Sequence, residues 1–463
     1  MSLNSSNITS GFIDLATFDE IEKYLYGGED ATAYFVRETT KSTWFTQVPV
    51  ALSRSAGSPE FGQQFSFSIS RAGDYLLANW LRVTIPKVSL KANPPAETGL
   101  RWTRNLGHNL ISECAITFND LIAARFDSYH LDFWSAFTVP ASKAAGYAHM
   151  IGDRDNLVHS GDGKDLNTEL PESILNIPLP FFYSRDSGVA LPTAALPYND
   201  MRIQFSFRNW TDLLIVDSAV NSNALSKPAT SSDLAEVPKL GNTSLWANYA
   251  IVSNDERKRM ACAPRDILIE QVQTAPKQHF NPANNPNPQV DIRFSHAIKV
   301  LFFAARNTSV ASEWSNYSTN QPTPSNTGVV NFVPSGSGDP LVETSLVYEN
   351  TNRLGNMDSS YYSLVNPWYH APSIPDPNSL VGYHMYSYSL DFICIEPQGS
   401  TNYGKLTNVS LNPVASAQAV TMSTQTGGTP GSALYKQTYD FIVTCVNNNI
   451  IRVSGGALGF PVL

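Results

Sequence analysis

The sequence of 463 residues is poor in charge, in cysteine and in long hydrophobic runs. Asp, Glu, Lys and Arg make up 15% of it, against roughly 25% in an average soluble protein. So few charges favour a surface that is largely covered by other subunits, because interface cores are depleted in charge and enriched in aromatics. The 23 Phe, 20 Tyr and 8 Trp agree with this interpretation, although a large β-sheet core would use them too.

Neither a membrane span nor a secretion signal is expected from the sequence. No stretch approaches the roughly 18 consecutive apolar residues of a transmembrane helix, and residues 1–11 do not combine a charged start with an apolar run. We therefore expect a protein that is made and kept in the cytosol. Its four widely spaced cysteines are then expected to be reduced core thiols rather than disulfides or zinc ligands: Cys114, Cys262, Cys394 and Cys445.

The chain also lacks the basic arm with which many proteins package nucleic acid. Its net charge is −9, its first basic residue is Lys23, and none follows Arg452. Direct contact with nucleic acid is therefore not expected.

The spacings that identify common enzyme and metal sites are missing as well. The sequence has no G-x-S-x-G elbow, no phosphate-binding loop and no H-E-x-x-H, and the acidic segment around Asp153 and Asp155 lacks the spacing of a calcium loop. Ser184-Arg185-Asp186-Ser187-Gly188 resembles a catalytic motif, but a tight turn fixed by a buried or interfacial Arg–Asp pair is the better interpretation. We expect no enzyme activity, no cofactor and no metal site.

Short alternating runs typical of β-strands fill most of the chain. Residues 64–69 and 201–207 are examples, and 30 Pro and 27 Gly contribute to the turns between such runs. This pattern predicts an all-β sandwich or jelly roll rather than a parallel α/β sheet. Long loops rich in Ser, Asn, Gly and Pro are predicted between the strands, at residues 141–171, 212–245, 307–340 and 414–434.

One segment near the start has helical periodicity. Thr17, followed three residues later by Glu20, has the pattern of a capping box, and Gly27-Gly28 supplies a stop. A helix of about ten residues is not stable alone in water, so its apolar face is expected to dock on another surface. The side chains of that face are Phe18, Ile21, Tyr24 and Leu25.

The two halves of the chain repeat the same succession of patterns. The matched segments, in order, are 45–49 with 269–273, 70–77 with 295–302, 118–120 with 348–350, Trp134 with Trp368, 201–203 with 404–406, and 249–252 with 441–444. Each match is weak, and chance similarity among β-strands is the alternative. Their common order predicts two domains with one strand plan that divide near residue 263.

Longer motifs resemble a known family, and they run in order from the first ten residues to the last five. They include Thr9-Ser10-Gly11-Phe12-Ile13-Asp14, Tyr26-Gly27-Gly28, Ala72-Gly73-Asp74-Tyr75, Phe181-Phe182-Tyr183-Ser184-Arg185-Asp186-Ser187-Gly188, Arg293-Phe294-Ser295-His296, Tyr348-Glu349-Asn350-Thr351 and Gly459-Phe460-Pro461-Val462-Leu463. These residues resemble the iridovirus major capsid protein family of the nucleocytoplasmic large DNA viruses. The amino-acid sequences of these motifs are most similar to those of the invertebrate iridescent viruses.

This resemblance implies a tandem double jelly roll, with two eight-stranded antiparallel β-sandwich barrels, a short N-terminal helix and long inter-strand loops. Together with the division near residue 263 predicted from the repeat, we expect an N-terminal arm with the amphipathic helix at 1–28, a first jelly roll at 29–263 and a second at 264–463. The implied function is that of a structural subunit of an icosahedral viral capsid. Pseudo-hexagonal homotrimeric capsomers would tile the outer shell over an internal lipid membrane.

The partners implied by the resemblance are other copies of the chain, neighbouring capsomers, minor capsid and penton proteins, and the membrane underneath. The N-terminal helix would face that membrane or a minor protein, and the protein would reside in the virion after assembly in the host cytoplasm. The alternative is a carbohydrate- or receptor-binding β-sandwich protein with exposed loop aromatics that stack on sugars. The aromatics that suggest it are Trp246, Trp314 and Tyr317. A β-sandwich hydrolase is disfavoured by the missing catalytic spacings.

Overall fold

The computed structural model describes residues 3–162, 165–218, 225–320, 338–432 and 435–461. Parts of all four predicted loops, at 163–164, 219–224, 321–337 and 433–434, therefore lie outside the described residues. By contacts, the chain forms two compact units, Met1–Trp44 and Phe45–Leu463.

The first unit contains helices α1 (Leu3–Ala16) and α2 (Glu20–Leu25). The side chain of Asp19, not that of Thr17, accepts a hydrogen bond at the start of α2, from the Glu20 amide. Thr17 instead donates to the Asp14 carbonyl at the end of α1. The predicted capping box is therefore wrong, and Phe18 precedes a helix of only six residues.

Seven further α-helices lie in the described part of the second unit. They are α3 (Leu106–Leu110), α4 (Ser128–Thr138), α5 (Ala141–Ile151), α6 (Asp155–Val158), α7 (Asn254–Cys262), α8 (Asn366–His370) and α9 (Ala417–Ser423). Helices α5, α6 and α9 occupy segments that the sequence predicted to be loops, so that part of the prediction is wrong. Alanines favour the helical state in α5, and Gly152 ends it in a left-handed conformation.

The strands up to residue 252 build the first sandwich. They are β1 (Phe45–Ala51), β2 (Ser53–Ala56), β3 (Gln64–Ser68), β4 (Tyr75–Ile85), β5 (Val88–Ser89), β6 (Thr98–Trp102), β7 (Ile111–Phe118), β8 (Leu121–Asp127), β9 (Gly161–Asp162), β10 (Asp165–Leu166), β11 (Glu169–Leu170), β12 (Ser173–Pro178), β13 (Met201–Phe207), β14 (Leu214–Ser218), β15 (Leu225–Pro228) and β16 (Thr243–Val252). Its two main sheets have the orders β1-β16-β4-β12 and β2-β3-β13-β7-β8. A smaller sheet, β15-β14-β6, is separate from them.

The strands from residue 265 onward build the second sandwich. They are β17 (Arg265–Thr274), β18 (Gln278–Phe280), β19 (Val290–Ile292), β20 (Ala297–Asn307), β21 (Leu341–Tyr348), β22 (Thr351–Asp358), β23 (His384–Ser387), β24 (Thr401–Asn402), β25 (Val409–Ala415), β26 (Tyr439–Ser454) and β27 (Ala457–Gly459). Its sheets have the orders β17-β26-β20-β23 and β19-β25-β21-β22, with β18, β24 and β27 added to the first.

The two sandwiches share one strand plan. Without β2, which extends one edge, each sandwich has eight main strands. Counted in chain order, one sheet of each reads 1-8-3-6 and the other 2-7-4-5. Every pairing in these sheets is antiparallel. The predicted internal duplication is thus present in the sheet order.

The hairpins that join strands four and five are also alike. Asn119 and Asp120, between β7 and β8, both have positive φ angles, and so do Glu349 and Asn350 between β21 and β22. Two successive positive φ angles define the two-residue turn that matches the twist of a β-hairpin. The predicted match of residues 118–120 with 348–350 therefore joins equivalent turns.

Several of the other matches lie in the right part of the strand plan but in the wrong register. Met201 lies opposite Phe118 and Val409 lies opposite Tyr348, so β13 corresponds to β25 rather than to residues 404–406. Likewise β16 corresponds to β26, but the register differs from the predicted match of 249–252 with 441–444. In β26, a shift by an even number of residues leaves the alternating pattern unchanged. Residues 403–405, in contrast, form a turn and no strand.

Buried apolar residues form three clusters. The first fills the first sandwich and also includes Ile267 and Ile451 from the second. The second fills the interior of the second sandwich, around Phe303 and Phe441. The third lies between the two, where α4 packs on the outer side of the sheet that contains β20.

Candidate functional site

Helix α4 joins the two sandwiches. Its Phe133 and Phe137 are both fully buried, and both stack on Phe302 of β20, with ring centroids 5.9 and 5.5 Å apart. Aromatic pairs of this kind add to the free energy gained from burying their area. The first sandwich therefore contributes a helix that covers one face of a sheet in the second.

Asp132, on the same helix, collects hydrogen bonds from both sandwiches. The Asn105 amide (3.2 Å) and His108 Nδ1 (2.8 Å) reach its Oδ1, while the Ser315 hydroxyl (2.6 Å) and the Tyr317 hydroxyl (3.1 Å) donate to its Oδ2. Burial, with the nearby charge of Asp132, raises the pKa of Tyr317 well above its usual value. A buried carboxylate is stable only when its oxygens are satisfied in this way.

A buried ion cluster also crosses between the sandwiches. Arg101 of β6 contacts Asp217 of β14 through Nε and Glu313 of the second sandwich through Nη1, each at 2.6 Å. All three side chains are almost completely buried. Burial raises the pKa of Glu313 against the lowering effect of Arg101. Removing one member of such a cluster leaves an uncompensated buried charge.

The sequence predicted an ion pair between Arg185 and Asp186, but Arg185 pairs with a different carboxylate. Arg185 Nη2 lies 3.1 Å from Glu270 Oε2 on β17, and its guanidinium carbon lies 3.6 Å from the centroid of the Trp134 ring. Glu270 Oε1 also accepts from Lys299 Nζ at 2.5 Å. The turn is therefore fixed by an interfacial ion pair, as the sequence suggested, but the carboxylate comes from the second sandwich.

The aromatic residues that suggested a sugar-binding surface are not exposed loop residues. Tyr317 is buried at the Asp132 carboxylate. Trp314 is half-buried, with the guanidinium carbons of Arg208 and Arg306 both 3.7 Å from its ring centroid. The predicted exposure of Trp314 and Tyr317 is therefore wrong, because both side chains belong to the contact between the sandwiches.

Trp246, the third of these aromatics, lies on strand β16 rather than in a loop. It stacks on Trp80 of β4, with ring centroids 6.2 Å apart and planes at 11°, and both side chains are partly exposed. The pair therefore belongs to the outer face of a sheet.

The predicted docking face near the N-terminus is exposed throughout. The exposed fractions are 49% for Phe18, 73% for Ile21, 90% for Tyr24 and 67% for Leu25. In α1, which the sequence did not predict, Ile8, Phe12 and Leu15 are exposed as well. No described helix is both long and apolar enough to cross a membrane.

The cysteines follow the prediction in part. All four thiols are free, and Cys114 and Cys445 are buried, but Cys394 is half-buried and Cys262 is exposed on α7. The prediction of a core thiol is therefore wrong for Cys262. Within the described ranges no three His, Cys, Asp or Glu residues are grouped so that they could hold a metal ion.

Comparisons with known sequences identify the family. The profile of the large eukaryotic DNA virus major capsid protein matches residues 256–459, and that of the major capsid protein N-terminus matches residues 33–252. The major capsid protein of Wiseana iridescent virus is 61% identical, over 98% of this chain and 94% of its own length. That of Costelytra zealandica iridescent virus is also 61% identical, over 100% of both chains.

Comparison with solved structures identifies the fold. The PBCV-1 virus capsid protein superposes with a TM-score of 0.72 at 19% identity, over 93% of this chain and 100% of its own. The Faustovirus major capsid protein superposes with a TM-score of 0.68 at 11% identity, over 92% of this chain and 93% of its own. The predicted tandem double jelly roll is confirmed. From its strand order, its motifs and its relatives, the chain belongs to the major capsid protein family of large eukaryotic DNA viruses, together with the iridescent virus proteins, as a structural protein of the virion capsid.

Proposed function

We propose that the chain assembles into homotrimeric capsomers of pseudo-hexagonal outline, which tile an icosahedral shell over an internal lipid membrane. The repeat of one strand plan within the chain is the observation that carries this proposal. Three chains supply six like sandwiches, so a threefold assembly acquires a nearly sixfold outline that tiles a flat surface. The role is structural rather than catalytic.

The contact between the sandwiches supports this role. The stacked aromatics around Phe302, the Asp132 hydrogen bonds and the Arg101 ion cluster hold the two sandwiches as one rigid body. Buried polar contacts of this kind favour a single arrangement of the groups that make them. A rigid pair of sandwiches is what a regular lattice requires, because flexible subunits lose entropy each time they are ordered.

The proposal divides the chain into an arm at 1–28, a first jelly roll at 29–263 and a second at 264–463. Apart from one isolated bridge, between Leu225 and Ser432, no described strand pairing joins the first sandwich to the second. The two family profiles also meet between residues 252 and 256. Limited proteolysis of unfolding intermediates would test the division by the boundaries of the protected fragments.

The arm is proposed to face the membrane or a minor capsid protein, with penton and further minor proteins as additional partners. The exposed apolar side chains of α1 and α2, such as Phe12 and Ile21, support this role, because an exposed amphipathic helix needs a partner surface. Assembly is proposed to take place in the host cytoplasm, without direct contact with nucleic acid.

The trimer is tested by size-exclusion chromatography with light scattering, followed by negative-stain electron microscopy of the same sample. The expected result is a mass of three chains and particles of roughly hexagonal outline. A stable folded monomer at micromolar concentration would contradict the proposal.

A further inference from the structure

Two surfaces of the chain are equivalent to the two sides of the contact between its own sandwiches, yet in the described part of the chain each keeps partly or fully exposed aromatic side chains. We infer that these surfaces meet between copies: Leu364 and Trp368 of one copy pack on the Trp80–Trp246 face of a second. This inference rests on the proposed trimer and names the contact that closes it.

The first surface is the segment that follows β22, which is equivalent to helix α4 after β8. Asp127 ends β8 opposite Glu113, and Asp358 ends β22 opposite Glu343. The carboxylates of the two aspartates then accept hydrogen bonds from the backbone of the following turn, each at 3.0 Å. The two helical segments thus follow a capping aspartate at the same place in the strand plan, although the second contains a π-helical turn, Tyr361–Val365, before α8.

Counted from these aspartates, Leu364 stands where Phe133 does, and Trp368 where Phe137 does, so the predicted match of Trp134 with Trp368 is displaced by three residues. Phe133 and Phe137 are fully buried on the sheet of the second sandwich. In contrast, Leu364 is 39% exposed and Trp368 is 71% exposed, and their neighbour Tyr369 is 73% exposed. In the described structure, the helical segment of the second sandwich that corresponds to α4 therefore packs these side chains on no sheet.

The second surface is the outer face of the sheet β1-β16-β4-β12. Strand β4 has a bulge at Leu77, between its pairings with Tyr249 and Asn248, and β20 has the same irregularity at Lys299. When the two bulges are aligned, Trp80 takes the position of Phe302, so the predicted match of 70–77 with 295–302 is displaced by three residues.

The two equivalent faces differ in what covers them. In β20, every residue from Ile298 to Asn307 is buried, because α4 lies over its outer side. In β4, burial alternates: Trp80 is partly exposed and Arg82 is exposed, while Leu81 and Val83 are buried. The first sandwich therefore presents the sheet without the helix that would cover it.

A second copy of the chain is the occupant that fits both surfaces at once. A helix without its sheet and a sheet without its helix on one chain define a head-to-tail contact, which repeats from copy to copy until it closes into a ring. A trimer has three contacts between sandwiches within its chains and three between its chains. If the contact between chains repeats the one within a chain, all six are alike. The exposed Trp368 and the stacked Trp80–Trp246 pair also have the composition of an interface core.

The inference is tested with Trp368→Ala and Trp80→Ala, and with Tyr198→Ala as a matched control at an aromatic residue that is 75% exposed elsewhere. Light scattering over a dilution series should show trimer dissociation at concentrations about tenfold higher or more for the two tryptophan variants, since a central Trp is typical of interface hot spots. The control should dissociate as the wild type does. Thermal unfolding of each variant shows that it is folded.

A second variant tests the geometry directly. In a Cys262→Ser background, which removes the exposed thiol, Trp368→Cys and Trp80→Cys are combined in one chain. Mild oxidation should link the copies covalently into dimers and trimers on a non-reducing gel, and neither single cysteine should do so.

The outcomes separate this inference from the proposed trimer. A wild-type monomer contradicts the trimer itself. A wild-type trimer that is insensitive to both tryptophan variants and forms no linked species contradicts this contact alone. Linkage through the single Trp368→Cys variant would also overturn it, because the two copies would then meet through identical patches.

Discussion

Phe133 of the first sandwich stacks on Phe302 of the second, with ring planes only 4° from parallel. Because both rings are fully buried, Phe133→Ala leaves a cavity between the sandwiches. We expect a loss of about 3–5 kcal/mol in the free energy of unfolding, measured by denaturant unfolding at fixed protein concentration. Leu121→Ala, at a 43% exposed position on β8, is the control and should change this free energy by about 0.5 kcal/mol or less. Equal effects of the two variants would contradict the central place of α4.

The Arg101 cluster predicts a large effect of removing its cation. Arg101→Met leaves Asp217 and Glu313 buried beside each other, and we expect a loss of about 3–5 kcal/mol in the free energy of unfolding. The contrasting variant is Arg452→Met, which breaks an ion pair with Asp266 that is about half exposed on both sides. Solvent screens that pair, so little change is expected. A tolerated Arg101→Met would show that the cluster does not hold the sandwiches together.

His130 predicts how stability depends on pH. Burial, helped by the charge of Arg185, lowers the pKa of His130 from 6.5 to about 3. Between pH 6.5 and pH 3 the unfolded chain binds a proton at His130 that the folded chain excludes. The free energy of unfolding is therefore unaffected by His130 above pH 6.5 and decreases as the pH falls toward 3. From pH 7 to pH 5 we expect the free energy of unfolding to fall by about 2 kcal/mol because of His130.

The measurement is the unfolding midpoint as a function of pH, for the wild type and for His130→Phe. The variant should flatten the slope between pH 7 and pH 5, while His149→Gln, at an exposed position on α5, should not. An unchanged slope in His130→Phe would show that His130 is not the source of acid sensitivity.

Deletion of residues 1–28 should leave the trimer intact but impair shell assembly or membrane attachment. None of the three described core clusters contains a residue before Val50, so the sandwiches do not need the arm for their interior. The oligomer is measured by light scattering, and attachment by flotation with liposomes. A matched variant keeps the arm at full length but replaces Phe18, Ile21, Tyr24 and Leu25 by Ser. A deletion variant that assembles and attaches as the wild type does would refute the role of the arm.

The strand plan could be predicted from the sequence because each sandwich repeats it in order. Turns marked by polar residues, such as Asn119-Asp120 and Glu349-Asn350, anchor the comparison where strand patterns alone do not. Register could not be predicted: the residue matched to Met201 lies in the turn Tyr403–Lys405, five residues before its true counterpart Val409.

Helix α4 and the contact around it were missed for a physical reason. The helix is buried on several sides, including His130, Leu131 and Phe133, so it lacks the polar face that makes helical periodicity visible. Its partners, such as Glu313 and Tyr317, lie far along the chain, and only the folded structure brings them together. One local signal was present: Asp127, which caps the helix, precedes it directly.

The place of β26 in its sheet has a consequence for how the protein is made. This long strand, Tyr439–Ser454, lies between β17 and β20 and pairs with both. During translation the second sandwich therefore lacks a central strand until almost all of its other strands have left the ribosome. Until then, Phe133 and Phe137 have no completed sheet to cover, and the nascent chain exposes aromatic surface and unpaired strand edges. This interval is when a chaperone has most to protect.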